Sequence, residues 1–224
     1  MCEESGRIMS MTVQDYTNFE ALEFASNYGS KNPVIRFLLK RFDAHLISVL
    51  ESVRPHIRTV LEVGSGEGYS TDLIRKAILP TTMLASSDLI PELVRRSRER
   101  AGDNNNFVQN LHSLAVRSKS VDLVVALEVM EHLPSPSNAL EEIARVTRRW
   151  AIVSIPYEPW WRIGNMLRGA HWSDWGNTPD HVNHWGKASF SRFLRQRFDK
   201  VEVRVSFPWL IACCEQPLAK ETTK

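Results

Sequence analysis

The chain has 224 residues, of which 43% are hydrophobic and 24% are charged, and its formal net charge is +2. This composition is that of one globular α/β domain, and so small a net charge gives no support to a nucleic-acid partner. No apolar stretch approaches the roughly 18 residues of a membrane-spanning helix, and the N-terminus lacks the apolar centre of a signal peptide. Two of the three cysteines are adjacent and so offer no disulfide framework, which favours a cytoplasmic protein.

Helices and strands alternate along most of the chain. Apolar residues recur at helical spacing from Ile35 to Val53 and predict a helix packed on the core. The predicted strands "RTVLEV", "TMLASS", "NFVQN", "VDLVVAL" and "WAIVSIP" are separated by the predicted helices "YSTDLIRKAIL", "PELVRRSRER" and "SNALEEIARVT", the last with Ser137 as its cap. A helix, "SFSRFLRQRF", and a hairpin of "KVEVRVSF" with "LIACCE" follow. This order predicts a Rossmann-like, doubly wound, mostly parallel seven-stranded sheet with helices on both faces and a C-terminal antiparallel hairpin.

One stretch breaks this alternation and is rich in tryptophan. It lies between Pro156 and Lys187 and is too long for a simple connection, so we interpret it as a lid or substrate-binding insertion. It contains Trp160, Trp161, Trp172, Trp175 and Trp185. Within one domain, we therefore divide the chain into an N-terminal helical cover (1–57), a ligand-binding core (58–156), an aromatic insertion (157–187) and a C-terminal helix and hairpin (188–224).

The glycine-rich segment "VLEVGSGEG", residues 60–68, indicates the ligand of the core. A dinucleotide fingerprint needs G-x-G-x-x-G, but Tyr69 stands at the third glycine position, and no Lys-Ser/Thr pair follows to form a phosphate loop. The carboxylate of Glu62 would repel a pyrophosphate and attract a cation, while Asp88 closes the next strand, where it can accept both ribose hydroxyls. A ribose next to a cation, without phosphate, indicates S-adenosylmethionine. The alternative is that these residues only shape a turn and cap strands.

With "VDLVVALEVMEHL" and the helix after it, these motifs resemble the class I S-adenosylmethionine-dependent methyltransferases, in the small-molecule branch that includes the ubiquinone O-methyltransferases. The resemblance covers about residues 58–156. It implies that Gly64, Ser65 and Gly66 let the backbone approach the methionine portion of the cofactor, with Glu62 near its amino group.

The same resemblance implies further contacts at three strand ends. Asp88 would bind the ribose and Leu89 would lie against the adenine. Asn110 stands where the family usually has an Asp at the adenine amine, and Leu111 follows it as an adenine neighbour; Asn is also common in turns. Glu128, at the end of the fourth strand, would lie near the sulfonium and its methyl group.

The methyl acceptor needs alignment and, if it is a hydroxyl, a base to remove its proton. Candidate bases are His132 in "EVMEH" and His181 and His184 in "PDHVNHW". A second hypothesis is a divalent metal held by Glu128, Glu131 and His132 with a later histidine. It follows from a similarity to the E-x-x-E-H pattern of metal-assisted ubiquinone O-methyltransferases and small-RNA 2′-O-methyltransferases. A third is that these side chains have structural or positioning roles.

The sequence thus predicts methylation of an oxygen on a small molecule, either aromatic, a sugar or lipid-linked. The tryptophans of the insertion favour an apolar acceptor or peripheral contact with a membrane, unless they simply form the core of a lid. Two alternatives stay open: an RNA ribose methyltransferase and a non-catalytic S-adenosylmethionine-binding partner protein. The sequence indicates no oligomeric state.

Overall fold

The protein was analysed as a computed structural model that describes residues 28–102, 105–158, 160 and 182–217. The helices are α1 (Pro33–Val53), α2 (Tyr69–Ala77), α3 (Pro91–Ala101), α4 (Pro136–Val146) and α5 (Lys187–Leu194), with 3-10 turns at Arg54–His56 and Met130–His132. The strands are β1 (Thr59–Val63), β2 (Met83–Asp88), β3 (Asn106–Val108), β4 (Val121–Leu127), β5 (Thr147–Pro156), β6 (Lys200–Ser206) and β7 (Trp209–Glu215).

The strands form one seven-stranded sheet in the order β3-β2-β1-β4-β5-β7-β6. Strands β1 to β5 pair in parallel, whereas β7 is antiparallel to both β5 and β6. The predicted Rossmann-like fold with its C-terminal hairpin is therefore confirmed. Strand order reverses between β1 and β4, and a crevice at the carboxyl ends of such strands is where open α/β sheets bind ligands.

Strand β4 shows why the sheet is covered on both faces. Its residues are almost all buried, and they alternate between two apolar clusters. Leu123 and Val125 join the cluster that contains the buried side of α1, while Val124 and Ala126 join the one that contains α4 and α5. Because successive side chains of a strand point to opposite faces, a continuous apolar run requires helices on both sides.

Helix α1 begins two residues before the predicted periodic face and ends at Val53, as predicted. Asn32 caps it, since its side-chain oxygen accepts the amide of Val34 at 2.9 Å, and Pro33 occupies the first helical position. The buried residues of α1 include Phe42, which packs edge-on against Trp209 of β7. The helix thus anchors on the hairpin side of the sheet, with its N-terminus at the carboxyl end of the strands.

Two local predictions need correction. Helix α4 begins at Pro136 after Ser135, so Ser137 is not its cap but lies inside its first turn. Strand β5 begins at Thr147, three residues before the predicted "WAIVSIP", because Thr147 pairs with Val121 across a register shift.

Of the tryptophan-rich insertion, Trp161, Trp172 and Trp175 lie outside the described residues. In the part of the chain that the structure describes, no helix combines the length and the apolarity needed to span a membrane.

Candidate active site

The turn after β1 is built from three glycines in the left-handed region. Gly64, Gly66 and Gly68 have φ angles of 72°, 53° and 83°, a conformation that side chains disfavour. The amides of Gly64 and Ser65 both donate to the carbonyl of Ser87 at 2.8 and 3.0 Å. The turn is therefore fixed to the carboxyl end of β2 by its own backbone.

The three glycines face different surroundings. A Cβ on Gly64 would overlap the side chain of Val129, and one on Gly68 would lie 2.7 Å from the Cα of Ser97, so both glycines permit close packing. A Cβ on Gly66 would meet nothing within 4 Å. Gly66 therefore borders open space at the strand crossover, where a ligand can approach the backbone. Gly68, which sequence reasoning did not assign, takes the helix-packing role that a dinucleotide fingerprint gives to its third glycine.

Asp88 ties this turn to the end of β2. One carboxylate oxygen accepts the amide of Gly66 at 2.9 Å and the other accepts the amide of Ile90 at 3.0 Å. Burial raises the pKa of Asp88 above its ordinary value, although the hydrogen bonds from Ile90 and Gly66 oppose this shift. Contact of Asp88 with a ribose stays a prediction, as does that of the half-buried Leu89 with an adenine.

Glu62 lies beneath the turn with only 1% of its surface exposed. Its carboxyl accepts the hydroxyl of Thr71 on α2 at 2.5 Å. Burial raises the pKa of Glu62 to about 7, and the negative charge of Asp88 acts in the same direction. The hydrogen bonds from Ser70 and Thr71 oppose this shift. A cation bound next to Glu62 would favour its ionised form. The predicted proximity of Glu62 to the cofactor amino group stays a prediction.

Glu128 follows β4 and has a left-handed backbone, with φ of 55°. Its carboxyl accepts the hydroxyl of Ser154 at 2.6 Å, and its amide donates to the Ser154 carbonyl at 3.2 Å. Burial raises the pKa of Glu128 to about 8, opposed by hydrogen bonds from Ser154 and Trp209. A non-glycine residue with positive φ costs about 1 kcal/mol or more, and such strain is concentrated at functional sites. The structure holds Glu128 at the strand end where the sequence predicts contact with the sulfonium region.

Asn110 and Leu111 lie at the end of the β3 segment. The side-chain oxygen of Asn110 accepts the amide of His112 at 2.9 Å, which is the turn-forming role weighed for this residue. Leu111 is buried and belongs to the core cluster on the α4 and α5 face. Contact of either residue with the adenine stays a prediction.

The E-x-x-E-H segment and the end of the aromatic insertion are joined by backbone hydrogen bonds. The carbonyl of Glu131 accepts the amides of Val182 and Asn183 at 3.0 and 3.1 Å. The side-chain amide of Asn183 donates to the carbonyl of Leu133 at 2.6 Å and to that of Met130 at 3.2 Å. Asn183, absent from the sequence prediction, therefore completes the turn that carries His132.

Two histidines at this edge each lie near a buried carboxylate. The Nε2 atom of His132 is 3.8 Å from Glu131, and the Nδ1 atom of His184 is 3.5 Å from Glu158. Both imidazoles are about one-third exposed, at 34% and 35%. The third candidate, His181, lies outside the described residues.

The metal hypothesis gains no support from the described residues. Within them, no group of three or more His, Cys, Asp or Glu side chains is arranged to hold a metal ion. The hydroxyl of Ser154 instead engages the carboxyl of Glu128.

Three features define the class of protein: the sheet topology, the glycine turn and the acid at the end of β2. Proteins of this class bind a nucleoside-containing cofactor at the crossover of a Rossmann-like sheet. Residues 61–155 match the family described as "Methyltransferase domain". Over these residues the chain is similar to the class I S-adenosylmethionine-dependent methyltransferases.

Curated relatives are similar over part of their length. A malonyl-[acyl-carrier protein] O-methyltransferase of Halorhodospira halophila is 34% identical over 140 residues, which cover 59% of this chain and 45% of the relative. A "Probable S-adenosylmethionine-dependent methyltransferase" of Mycolicibacterium smegmatis is 35% identical over 147 residues, covering 65% of this chain and 53% of the relative. The chain spans about half the length of these two curated relatives.

Solved structures share the fold. The magnesium protoporphyrin IX methyltransferase of Synechocystis PCC 6803, with bound SAH, superposes with a TM-score of 0.67 at 18% identity and covers 92% of this chain and 98% of its own. The similarity to the ubiquinone branch in particular stays a prediction.

Proposed function

We propose that the protein transfers the methyl group of S-adenosylmethionine to an oxygen atom of a small apolar acceptor. The observation that carries this proposal is the open space beside Gly66, in a turn that Asp88 organises, with Glu62 and Glu128 near the carboxyl ends of the paired strands β1 and β4. Carboxyls at this position favour a cationic nucleoside over a phosphorylated one, because carboxylates attract positive charge and repel negative charge.

The residues present fit the cofactor. The backbone of Gly64 to Gly66 would adjoin its amino-acid portion, Asp88 would accept its ribose hydroxyls, and Glu128 would face its positive charge. When bound, S-adenosylmethionine supplies an electrophilic methyl group on a sulfonium that leaves readily as a neutral thioether. The remaining work of the protein is to align the acceptor and remove its proton.

Within the described residues, two carboxylate–histidine pairs are candidates for proton removal. His132 lies beside the buried Glu131, and the unprotonated ring nitrogen of a neutral imidazole can accept a proton from a hydroxyl. His184 beside Glu158 can do the same. The two pairs lie far apart in the sequence, but Asn183 donates hydrogen bonds to the E-x-x-E-H turn. These hydrogen bonds keep both carboxylate–histidine pairs at one edge of the sheet. An acceptor that is already a carboxylate needs alignment alone.

Exposed apolar side chains at the same end of the sheet favour an apolar or lipid-linked acceptor. Trp160 after β5 is 46% exposed and packs edge-on against Phe207, which is itself 40% exposed in the turn between β6 and β7. Val182, next to the E-x-x-E-H turn, is 60% exposed. Oxygen as the methylated atom is further supported by the relative named as a malonyl-[acyl-carrier protein] O-methyltransferase.

Calorimetry followed by an acceptor panel tests this function. We expect the protein to bind S-adenosylmethionine and S-adenosylhomocysteine. We also expect it to produce S-adenosylhomocysteine when a malonyl thioester, a fatty acid or a phenol is supplied as the methyl acceptor. The panel also includes a sugar and a short RNA. Failure to bind either cofactor form would overturn the proposal, and methyl transfer to RNA alone would replace the small-molecule acceptor with an RNA ribose.

A further inference from the structure

Tyr28 lies beside the candidate site but belongs to none of its sequence motifs. Its ring stacks on the ring of Tyr69, with centroids 4.7 Å apart and an interplanar angle of 11°. Tyr69 is the first residue of α2 and directly follows Gly68, the last glycine of the turn. Tyr28 therefore contacts the segment in which the turn becomes a helix.

The ring of Tyr69 also ties this segment to α3. The guanidinium carbon of Arg100 lies 3.6 Å from the centre of that ring, and Arg100 Nε donates to the carbonyl of Glu67 at 3.0 Å. Arg100 and Tyr28 thus meet at one side chain, immediately after the turn. A ring contact at this point adds to the hydrogen bonds that order the turn, whose glycines lose more conformational freedom on ordering than other residues do.

The hydroxyl of Tyr28 connects the stack to α1 and to the site. It donates to the carboxylate of Asp43 on α1 at 2.9 Å. Burial raises the pKa of the Tyr28 hydroxyl, and the negative charges of Asp43, Glu128 and Glu62 add to this effect. The hydroxyl of Tyr28 thus links the stack to α1, and the charges of both candidate-site carboxyls act on it.

We propose that Tyr28 is a positioning residue for the cofactor, which braces the glycine turn through Tyr69 and fixes that brace to α1 through Asp43. This inference rests on the proposed function, because it assigns a role toward the same cofactor. A turn that is already ordered pays less conformational entropy on binding, so the stack strengthens cofactor binding without a new contact to the ligand. Loss of the ring should leave the fold intact and weaken cofactor binding.

The test is calorimetry of S-adenosylhomocysteine binding to the full chain and its variants. Tyr28→Leu removes the stack and should raise the Kd roughly three- to tenfold, the range expected for an aromatic pair. Tyr28→Phe keeps the ring and should stay within about threefold of the wild type. A Tyr28→Leu, Tyr69→Leu double variant should bind no more weakly than Tyr69→Leu alone, since Tyr69→Leu already removes the stack together with the contact of Arg100.

A matched control separates positioning from general stability. His56 makes a ring contact with Trp150 at the opposite end of the sheet, with centroids 5.8 Å apart, so His56→Leu removes a ring contact far from the site. It should leave the Kd unchanged even where its unfolding midpoint in urea falls as much as that of Tyr28→Leu.

Wild-type affinity in Tyr28→Leu would overturn the inference while leaving the proposed function standing. So would an equal loss of affinity in Tyr28→Phe or in His56→Leu. A wild-type chain that binds no cofactor would instead refute the proposed function, and with it the role of Tyr28.

Discussion

Substitution of Asp88 should destabilise the protein as well as weaken its cofactor binding. Its carboxylate accepts the amides of Gly66 and Ile90 at 2.9 and 3.0 Å, and Asp88→Ala removes both acceptors. Hydrogen bonds to a charged group are each worth about 1.5 to 3 kcal/mol, but partly exposed amides regain some of this from water. We therefore expect the free energy of unfolding to fall by about 2 to 4 kcal/mol.

A comparison of two variants isolates the backbone role of Asp88. Asp88→Asn retains one acceptor oxygen, whereas its NH2 group cannot accept a backbone amide, so it should lose about half as much stability as Asp88→Ala. Urea unfolding followed by circular dichroism measures both. An unfolding free energy for Asp88→Ala within about 0.5 kcal/mol of the wild type would refute the reasoning that Asp88 holds the turn.

The ribose role needs a separate measurement, because a loosened turn would also weaken binding. The wild type should bind S-adenosylhomocysteine more tightly than an analogue that lacks both ribose hydroxyls. If Asp88 accepts those hydroxyls, Asp88→Ala should lose most of this preference, since the hydroxyls then have no carboxylate partner. Equal discrimination by the wild type and the variant would refute the contact.

Three further predictions concern other parts of the site. Gly64→Ala should cost more stability in urea than Gly66→Ala, because both strain a positive φ by about 1 to 2 kcal/mol but only Gly64 lacks space for a Cβ. Burial raises the pKa of Glu62 from 4.5 to about 7, so the folded protein keeps a proton that the unfolded chain releases, and stability should fall as pH rises between these values. Glu62→Gln should remove the contribution of Glu62 to this slope, which for a single group cannot exceed roughly 1.4 kcal/mol per pH unit. An unchanged slope would refute the raised pKa of Glu62. His132→Ala should spare cofactor binding and reduce turnover of a hydroxyl acceptor by about 10²-fold or more, and a His184→Ala variant with the larger loss would make His184 the base instead.

The positions of the glycine turn and of Asp88 at neighbouring strand ends were predictable because their signals are local. The alternation of strands and helices predicts which strand ends meet, and the glycines and Asp88 occupy those ends. The sequence could not show that both oxygens of Asp88 accept backbone amides, because that depends on the path of the turn. For Asn110 the sequence allowed two roles and could not select between them. Its side-chain oxygen accepts the amide of His112 and so forms a local turn. Tyr28 was missed because stacking on Tyr69 is a contact between distant segments with no periodic pattern.

The acceptor side depends on contacts between segments that are far apart in the chain, which explains why the sequence left three roles open for its side chains. The turn that carries His132 is completed by Asn183, which lies 50 residues after Leu133 in the chain yet donates to its carbonyl. Its geometry therefore depends on how the end of the aromatic insertion docks, and any substitution that releases Asn183 should disturb His132 and His184 together. Because the glycine turn is held by β2, α3 and Tyr28 instead, cofactor binding should survive such a change. The glycine turn and the turn that carries His132 are thus held largely by separate contacts, with Val129 packed against Gly64 between them. We therefore expect changes at the end of the insertion to affect acceptor specificity more than cofactor binding.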